Sequence, residues 1–135
     1  MKTFNPNTKS KFPPLLHLTY VLQQSSDELL LREVGVSLSH ARIMSGLGVA
    51  IPRNQHHLAV ELGMTEANIS RQLQAMKKAG LVSIMRNKKD GRARDVKLSA
   101  KGLRKYVAAE RLLNREQKKI VRLVDFDITQ ILDAL

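Results

Sequence analysis

The sequence predicts a mostly α-helical chain with a small β-wing, that is, a winged helix-turn-helix domain with terminal dimerisation helices. Three observations predict it. Residues 65–102 run in order through a capped amphipathic helix, a short strand, a basic turn around Asp90-Gly91 and a second strand. That order is the one used by winged helices to read duplex DNA. Nearly all the net charge sits on the same stretch: between Arg71 and Lys105 there are twelve basic residues and two acids, a net +10 of the chain's +11. Finally, both ends of the chain carry apolar helical faces that a three-helix core with a wing cannot bury.

Residues 1–14 are predicted to be a basic, mobile arm, with Lys2, Lys9 and Lys11 and no acid. Its last two residues, Pro13-Pro14, suit the first turn of a helix, where a missing N–H is no loss. Residues 15–135 are expected to form a single domain. Leu15, Leu18, Leu22, Leu29 and Val36 recur at helical spacing, with Val21 and Leu30 beside them and Gly35 as a stop. Ser37 caps a second helix that places Leu38, Ala41, Ile43 and Met44 inward. Pro52 marks a break, and Asn54 caps a short helix with Leu58, Ala59 and Leu62 buried and Gly63 as its stop. The spacing from Leu58 through Gly63 to Ile69 is that of a supporting helix, a tight turn and a recognition helix.

At about 100° per residue, Ile69, Leu73 and Met76 form the core stripe of that last helix, which Gly80 ends. Ala67, Arg71, Gln74 and Lys78 fall opposite. Arginine can grip guanine bidentately, glutamine can pair with adenine, and lysine suits phosphate. Thr65 starts the helix, and Asn68 and Ser70 flank the outer face within reach of sugar or phosphate. A bland exposed helix would interleave Glu with Lys; here the only acid is Glu66, in the first turn where it suits the helix dipole.

Leu81, Val82 and Ile84 then read as a strand, RNKKDGRAR as the turn with Asp-Gly as a hairpin signal, and Val96 and Leu98 as the returning strand. The candidate wing residues are Arg86, Lys88, Lys89, Asp90, Arg92 and Arg94. Arg92 and Arg94 are placed to enter a narrow minor groove, with Asp90 aiming Arg92 by an ion pair. Ser99 caps a further helix in which Leu103, Val107, Leu113, Ile120, Val121 and Val124 continue at helical spacing among charges that balance locally. Asp125 and Asp127 flank Phe126, and a final helix presents Ile128, Ile131, Leu132 and Leu135. Residues 15–36 and 100–135 are thus assigned to dimerisation and 37–99 to DNA binding. A two-fold dimer would bury the apolar ends and duplicate the reader.

Other classes are disfavoured by residue type. Without Cys there is no disulfide, thiolate metal site or redox thiol. No apolar run approaches the ~20 residues of a membrane span, and no secretory signal is recognisable, so a cytoplasmic protein without membrane contact is expected. No nucleophile motif or glycine-rich phosphate loop occurs. His56 and His57 are adjacent and point to different helix faces, unlike a metal-binding pair, so no catalytic residue, metal ligand or cofactor is assigned.

The segments TEANISRQLQAMKKAGLV and DGRARDVKLSAKG resemble the MarR family of winged-helix regulators, and the likeness extends over about residues 15–135. Asp90, Arg92, Leu98, Ser99 and Gly102 occupy the places of that family's wing-to-helix pattern, and Ser70-Arg71 stands where a Thr-Arg pair is common. The resemblance implies an obligate homodimer on a pseudopalindromic operator, recognition helices in successive major grooves and wing arginines in the flanking minor grooves. For many members it also implies a small anionic or aromatic effector that weakens DNA binding; no effector residue is assigned. The chain departs from the pattern in its short segment after Phe126 and in having no sensor Cys. The expected function is that of a sequence-specific transcriptional regulator of the repressor kind. The alternatives are an architectural or RNA-binding winged helix without operator specificity, and a winged helix used for protein–protein assembly.

Overall fold

The computed structural model describes residues 13–124 and 128–135; the arm before Pro13 and the Asp125-Phe126-Asp127 segment lie outside them. Among the described residues six helices and three short strands follow in the order α1 (Pro14–Glu33), α2 (Leu38–Ser45), β1 (Arg53–Asn54), α3 (Gln55–Leu62), α4 (Glu66–Lys78), β2 (Val82–Arg86), β3 (Arg94–Leu98), α5 (Ala100–Val124) and α6 (Ile128–Ala134).

Each helix start predicted from a polar cap is found where a side chain satisfies an otherwise orphaned amide. Ser37 Oγ accepts from His40 N at 3.0 Å, Asn54 Oδ1 from His57 N at 3.1 Å, Thr65 Oγ1 from Asn68 N at 3.2 Å and Ser99 Oγ from Gly102 N at 2.9 Å. The three glycines expected to stop helices, Gly35, Gly63 and Gly80, sit at φ of 78°, 64° and 75°, a backbone region costly for other residues. Gly63 matters most, because it makes the turn between α3 and α4: its own N–H bonds Val60 O at 3.2 Å and Met64 N bonds Ala59 O at 2.9 Å, a tight helix ending. Removing the Thr65 cap by alanine substitution is expected to cost about 1 kcal/mol, measured as a lowered denaturation midpoint.

The core gathers the inner faces of these elements. Leu30, Ile43, Met44, Leu58, Ile69, Leu73, Met76 and Val96 are fully buried. Thus α1 enters the core only at its C-terminal end, while Leu15, Leu16 and Leu18 at its other end stay about half exposed. The long α5 rests on the domain through Gly102, Ala109 and Leu112, with Tyr106 and Leu113 packed at the edge. Leu103, expected on its buried stripe, stands at the edge of that face and is exposed.

The sheet is antiparallel in the order β1-β3-β2. Strand β1 is an addition to the predicted pair. Arg53 lies opposite Val96 and Asn54 opposite Asp95, so the residues just after Pro52 close the edge of the wing before Asn54 turns into α3.

The charges of α5 do not balance locally, contrary to the sequence expectation. Taking 100° per residue, Arg104, Arg111, Arg115, Lys118 and Arg122 fall within about 160–220° of Gly102, opposite the buried face. The acids Glu110 and Glu116 lie off that row. Lys119 Nζ donates to Glu116 Oε1 at 3.0 Å, and with Arg115 beside it this holds the Glu116 carboxyl below the usual carboxylate range. Like-charged neighbours three or four positions apart on a helix repel by about 0.2–0.5 kcal/mol each. Arg111–Arg115, Arg115–Lys118 and Lys118–Arg122 are three such pairs.

Candidate nucleic-acid interface

The interface is built on α4, whose N-terminus is set by Thr65 and whose inner stripe Ile69, Leu73 and Met76 is completely buried. Burying that stripe forces the opposite face outward. Ala67, Arg71, Gln74 and Lys78 are all exposed. The side chains of Arg71, Gln74 and Lys78 make no hydrogen bond or ion pair among the described residues, so each is free to meet a ligand. At the C-terminal end Lys77 and Lys78 also suit the helix dipole.

Asn68 and Ser70 are half-buried at the flanks. Asn68 belongs to a short relay: Ser39 Oγ at the start of α2 donates to Gln72 Oε1 at 2.5 Å, and Gln72 Nε2 donates to Asn68 Oδ1 at 2.9 Å. With one lone pair of its carbonyl occupied by Gln72, Asn68 still has both amide N–H groups to offer. Those groups suit phosphate or other acceptors. Neither Ser39 nor Gln72 was singled out from the sequence. The 68/72 spacing of one helical turn was visible, but the link to Ser39 arises only when the fold brings the start of α2 beside α4.

The wing tip is longer than a two-residue Asp-Gly hairpin. Strand pairing ends at Arg86 opposite Arg94, and residues 87–93 form the tip, closed by Asn87 N to Ala93 O at 3.0 Å. Gly91 is not among the positive-φ glycines that a type I′ turn requires. The organiser is Asn87: its Oδ1 accepts from Lys89 N at 2.8 Å and Asp90 N at 3.0 Å, and its Nδ2 donates to Asp95 Oδ2 at 2.9 Å. Sequence reasoning missed it, although asparagine's habit of bonding the backbone two residues ahead is a recognisable signal.

Asp90 serves Arg92 differently from the expected ion pair. Its Oδ1 accepts the Arg92 backbone N–H at 3.0 Å, and no Asp90–Arg92 side-chain pair occurs among the described residues. The carboxylate thus fixes the loop carrying Arg92 and leaves the exposed guanidinium unpaired. Arg94 is half-buried, with Nη1 folded back to within 3.4 Å of the Gly91 and Ala93 carbonyls. Arg86, Lys88, Lys89, Asp90 and Arg92 are exposed.

The sheet face that carries Val82, Ile84, Val96 and Leu98 continues outward into the directly opposed pair Arg86 and Arg94. Like charges opposite each other on a sheet disfavour the pairing, and an anion between them would relieve it.

Two lysines of the basic stretch are spoken for. Lys101 Nζ donates to Ala79 O at 2.9 Å, capping α4, and Lys105 Nζ donates to Val34 O at 2.6 Å, capping α1. Their charge acts on helix ends. Nearby, Arg53 binds Gly46 O at 3.0 Å and pairs with Glu61, while His56 Nδ1 meets the Glu66 carboxylate and ties the starts of α3 and α4 together. Among the described residues no three His, Asp or Glu side chains gather as metal ligands, and no helix is long and apolar enough to cross a membrane.

Residues 34–93 match the MarR family model. No protein of curated function matches the chain in sequence. Among solved structures, the chain is similar to the transcriptional regulator BldR from Sulfolobus solfataricus, at 19% identity and a TM-score of 0.79 over 89% of this chain and 85% of that one. It is also similar to the transcriptional repressor CouR bound to a 23-mer DNA duplex, at 21% identity and 0.75 over 89% and 82%, and to MepR of S. aureus in its DNA complex, at 15% and 0.77 over 89% and 88%. At such identities the likeness to these structures is one of fold. The family match covers the helix-turn-helix and wing and lies within that shared fold.

Proposed function

We propose that the protein is a sequence-specific double-stranded DNA-binding transcriptional regulator, acting as a homodimeric repressor on a pseudopalindromic operator. The observation that carries this reading is the outer face of α4, where an arginine, an amide and a lysine stand exposed and uncommitted above a fully buried stripe. The wing adds Arg92, held by its backbone with its guanidinium free, and the opposed Arg86–Arg94 pair. That CouR is a repressor and that CouR and MepR form DNA complexes support the same reading.

Support for the dimer is the surface left open at the two ends. Leu15, Leu16 and Leu18 of α1 are 57%, 56% and 48% exposed, and Leu132 and Leu135 at the C-terminal end are 65% and 98% exposed. Between α1 and α5 runs an open groove of about 430 Å³ lined by Leu22, Leu29, Leu113, Ile120 and Val121, with Glu28, Arg32 and Glu116 at its polar edge. A second copy offering its own apolar terminal helices would fill it. A small anionic or aromatic effector, for which no residue is assigned, would act by biasing the spacing of the two readers.

The test is a titration of operator-containing and random duplexes at one fixed salt concentration, with sedimentation at micromolar protein. The expected result is a dimer with a preference of ~10³ or more for operator. Equal affinity for both duplexes would make the protein an architectural binder instead, and a folded monomer would remove the dimer.

A further inference from the structure

We propose that the outer face of α5 is a second, sequence-independent binding site for a nucleic-acid phosphate backbone, separate from the winged helix. Arg104, Arg111, Arg115, Lys118 and Arg122 are all exposed on one line of the helix. Four of them, Arg104, Arg111, Lys118 and Arg122, form no side-chain hydrogen bond or ion pair among the described residues; Arg115 alone lies near a carboxylate, 3.7 Å from Glu116. Arg111, Arg115, Lys118 and Arg122 line one shallow concavity together with Asn114, a neutral donor that also suits phosphate.

Three properties separate this row from an ordinary solvated face. A solvated helix surface interleaves acids with bases, and here both nearby acids, Glu110 and Glu116, lie to the side. The helix dipole favours a cation in the last turn, which accounts for Arg122 but not for Arg111, Arg115 or Lys118, about one to three turns earlier. The spacing is also informative. From Arg111 to Arg122 the cations recur about every 4.5–6 Å along the axis at a rise of about 1.5 Å per residue. A duplex strand advances about 3.4 Å per phosphate, so the row spans roughly five nucleotides and can neutralise several phosphates in line.

The row also lies along a different part of the molecule from the reader. It extends to about 33 Å along the helix from Ala100, where α5 begins next to Lys101 and the end of α4. A partner held there is a second stretch of nucleic acid, and the chosen contact is to its backbone because cations following one line suit a row of phosphates, whose contacts carry no sequence information. The site does not rest on operator recognition, and Arg111, Lys118 and Arg122 have no part in the winged-helix interface.

The test starts from a variant with the reader weakened, Arg71→Ala with Arg92→Ala. Its binding to a random 12-base-pair duplex is followed by fluorescence anisotropy across a salt series. Residual binding is expected, and adding Arg111→Gln, Lys118→Gln and Arg122→Gln should lower it at least tenfold. The slope of log affinity against log salt should flatten by about 2.7, three phosphates at about 0.9 each. In an otherwise unaltered chain the same three glutamines should leave operator affinity within about twofold and should not lower the melting temperature, since they relieve repulsion on an exposed face. Absence of residual binding, residual binding indifferent to the glutamines, or a change in oligomeric state caused by them would overturn the proposal. The last outcome would assign the row to contact with a second copy of the chain.

Discussion

Replacing Arg71 with alanine is expected to weaken operator binding by about 1–3 kcal/mol per half-site, the worth of one bidentate base contact, and to flatten base preference at one position of each half-site. The reason is geometric. Arg71 lies opposite a stripe that is completely buried, so the helix cannot rotate to withdraw it, and its guanidinium has no competing partner among the described residues. Lys78 on the same face provides the contrast. A lysine contact to phosphate carries no sequence information, so Lys78→Ala should weaken operator and random duplex alike and reduce the salt slope by about 1 per half-site. The measurement is a competition series against operators altered one base pair at a time. If Arg71→Ala lowers affinity equally for operator and random sequence, Arg71 is a backbone contact and specificity resides elsewhere on the helix, with Gln74 next in line.

Much of this interface could be read from the sequence because it depends on local periodicity. Ile69, Leu73 and Met76 recur at helical spacing, and once that stripe is buried the outward direction of Ala67, Arg71, Gln74 and Lys78 follows. The caps at Ser37, Asn54, Thr65 and Ser99 and the stops at Gly35, Gly63 and Gly80 were legible for the same reason. What escaped depends on distant partners. Strand β1 consists of Arg53 and Asn54, two polar residues with no strand pattern of their own, and exists because β3 offers an edge at Asp95 and Val96. Lys101 and Lys105 look like DNA-facing charges, yet their acceptors lie 22 and 71 residues away in the chain. The basic row of α5 was hidden by summing charge over residues 106–135, where Glu110, Glu116, Asp125, Asp127 and Asp133 equal the five bases in number but not in position.

Gly102→Ala is expected to be the most damaging small substitution in the domain. Helix propensity alone argues the other way, since alanine in place of glycine inside a helix gains about 1 kcal/mol, and Gly102 has no positive φ to justify it. Packing decides the matter. A Cβ at this position would stand 2.0 Å from Leu81 O, 3.0 Å from Leu81 C and 3.2 Å from Leu98 Cδ2. The carbonyl cannot swing aside cheaply, because it accepts the Ser99 N–H at 3.0 Å, and Ser99 Oγ in turn holds Gly80 O at 2.5 Å and Gly102 N at 2.9 Å. Relief therefore requires α5 to lift from the start of β2, opening the contacts of Leu81 and Leu98 with the core. Overpacking against flexible side chains costs about 1–3 kcal/mol, and more when the obstacle is rigid. A net loss of about 3 kcal/mol corresponds to a fall of roughly 10 °C in melting temperature for a domain of this size. Gly48→Ala is the control: nothing lies within 4 Å of a Cβ there and its φ is not positive, so its melting temperature should be unchanged. Should Gly102→Ala melt within 2 °C of the parent (about half a kcal/mol), the close seating of α5 on the wing base would be wrong. The placement of Arg92 and Arg94 that depends on β3 entering α5 at Ser99 would then have to be redrawn.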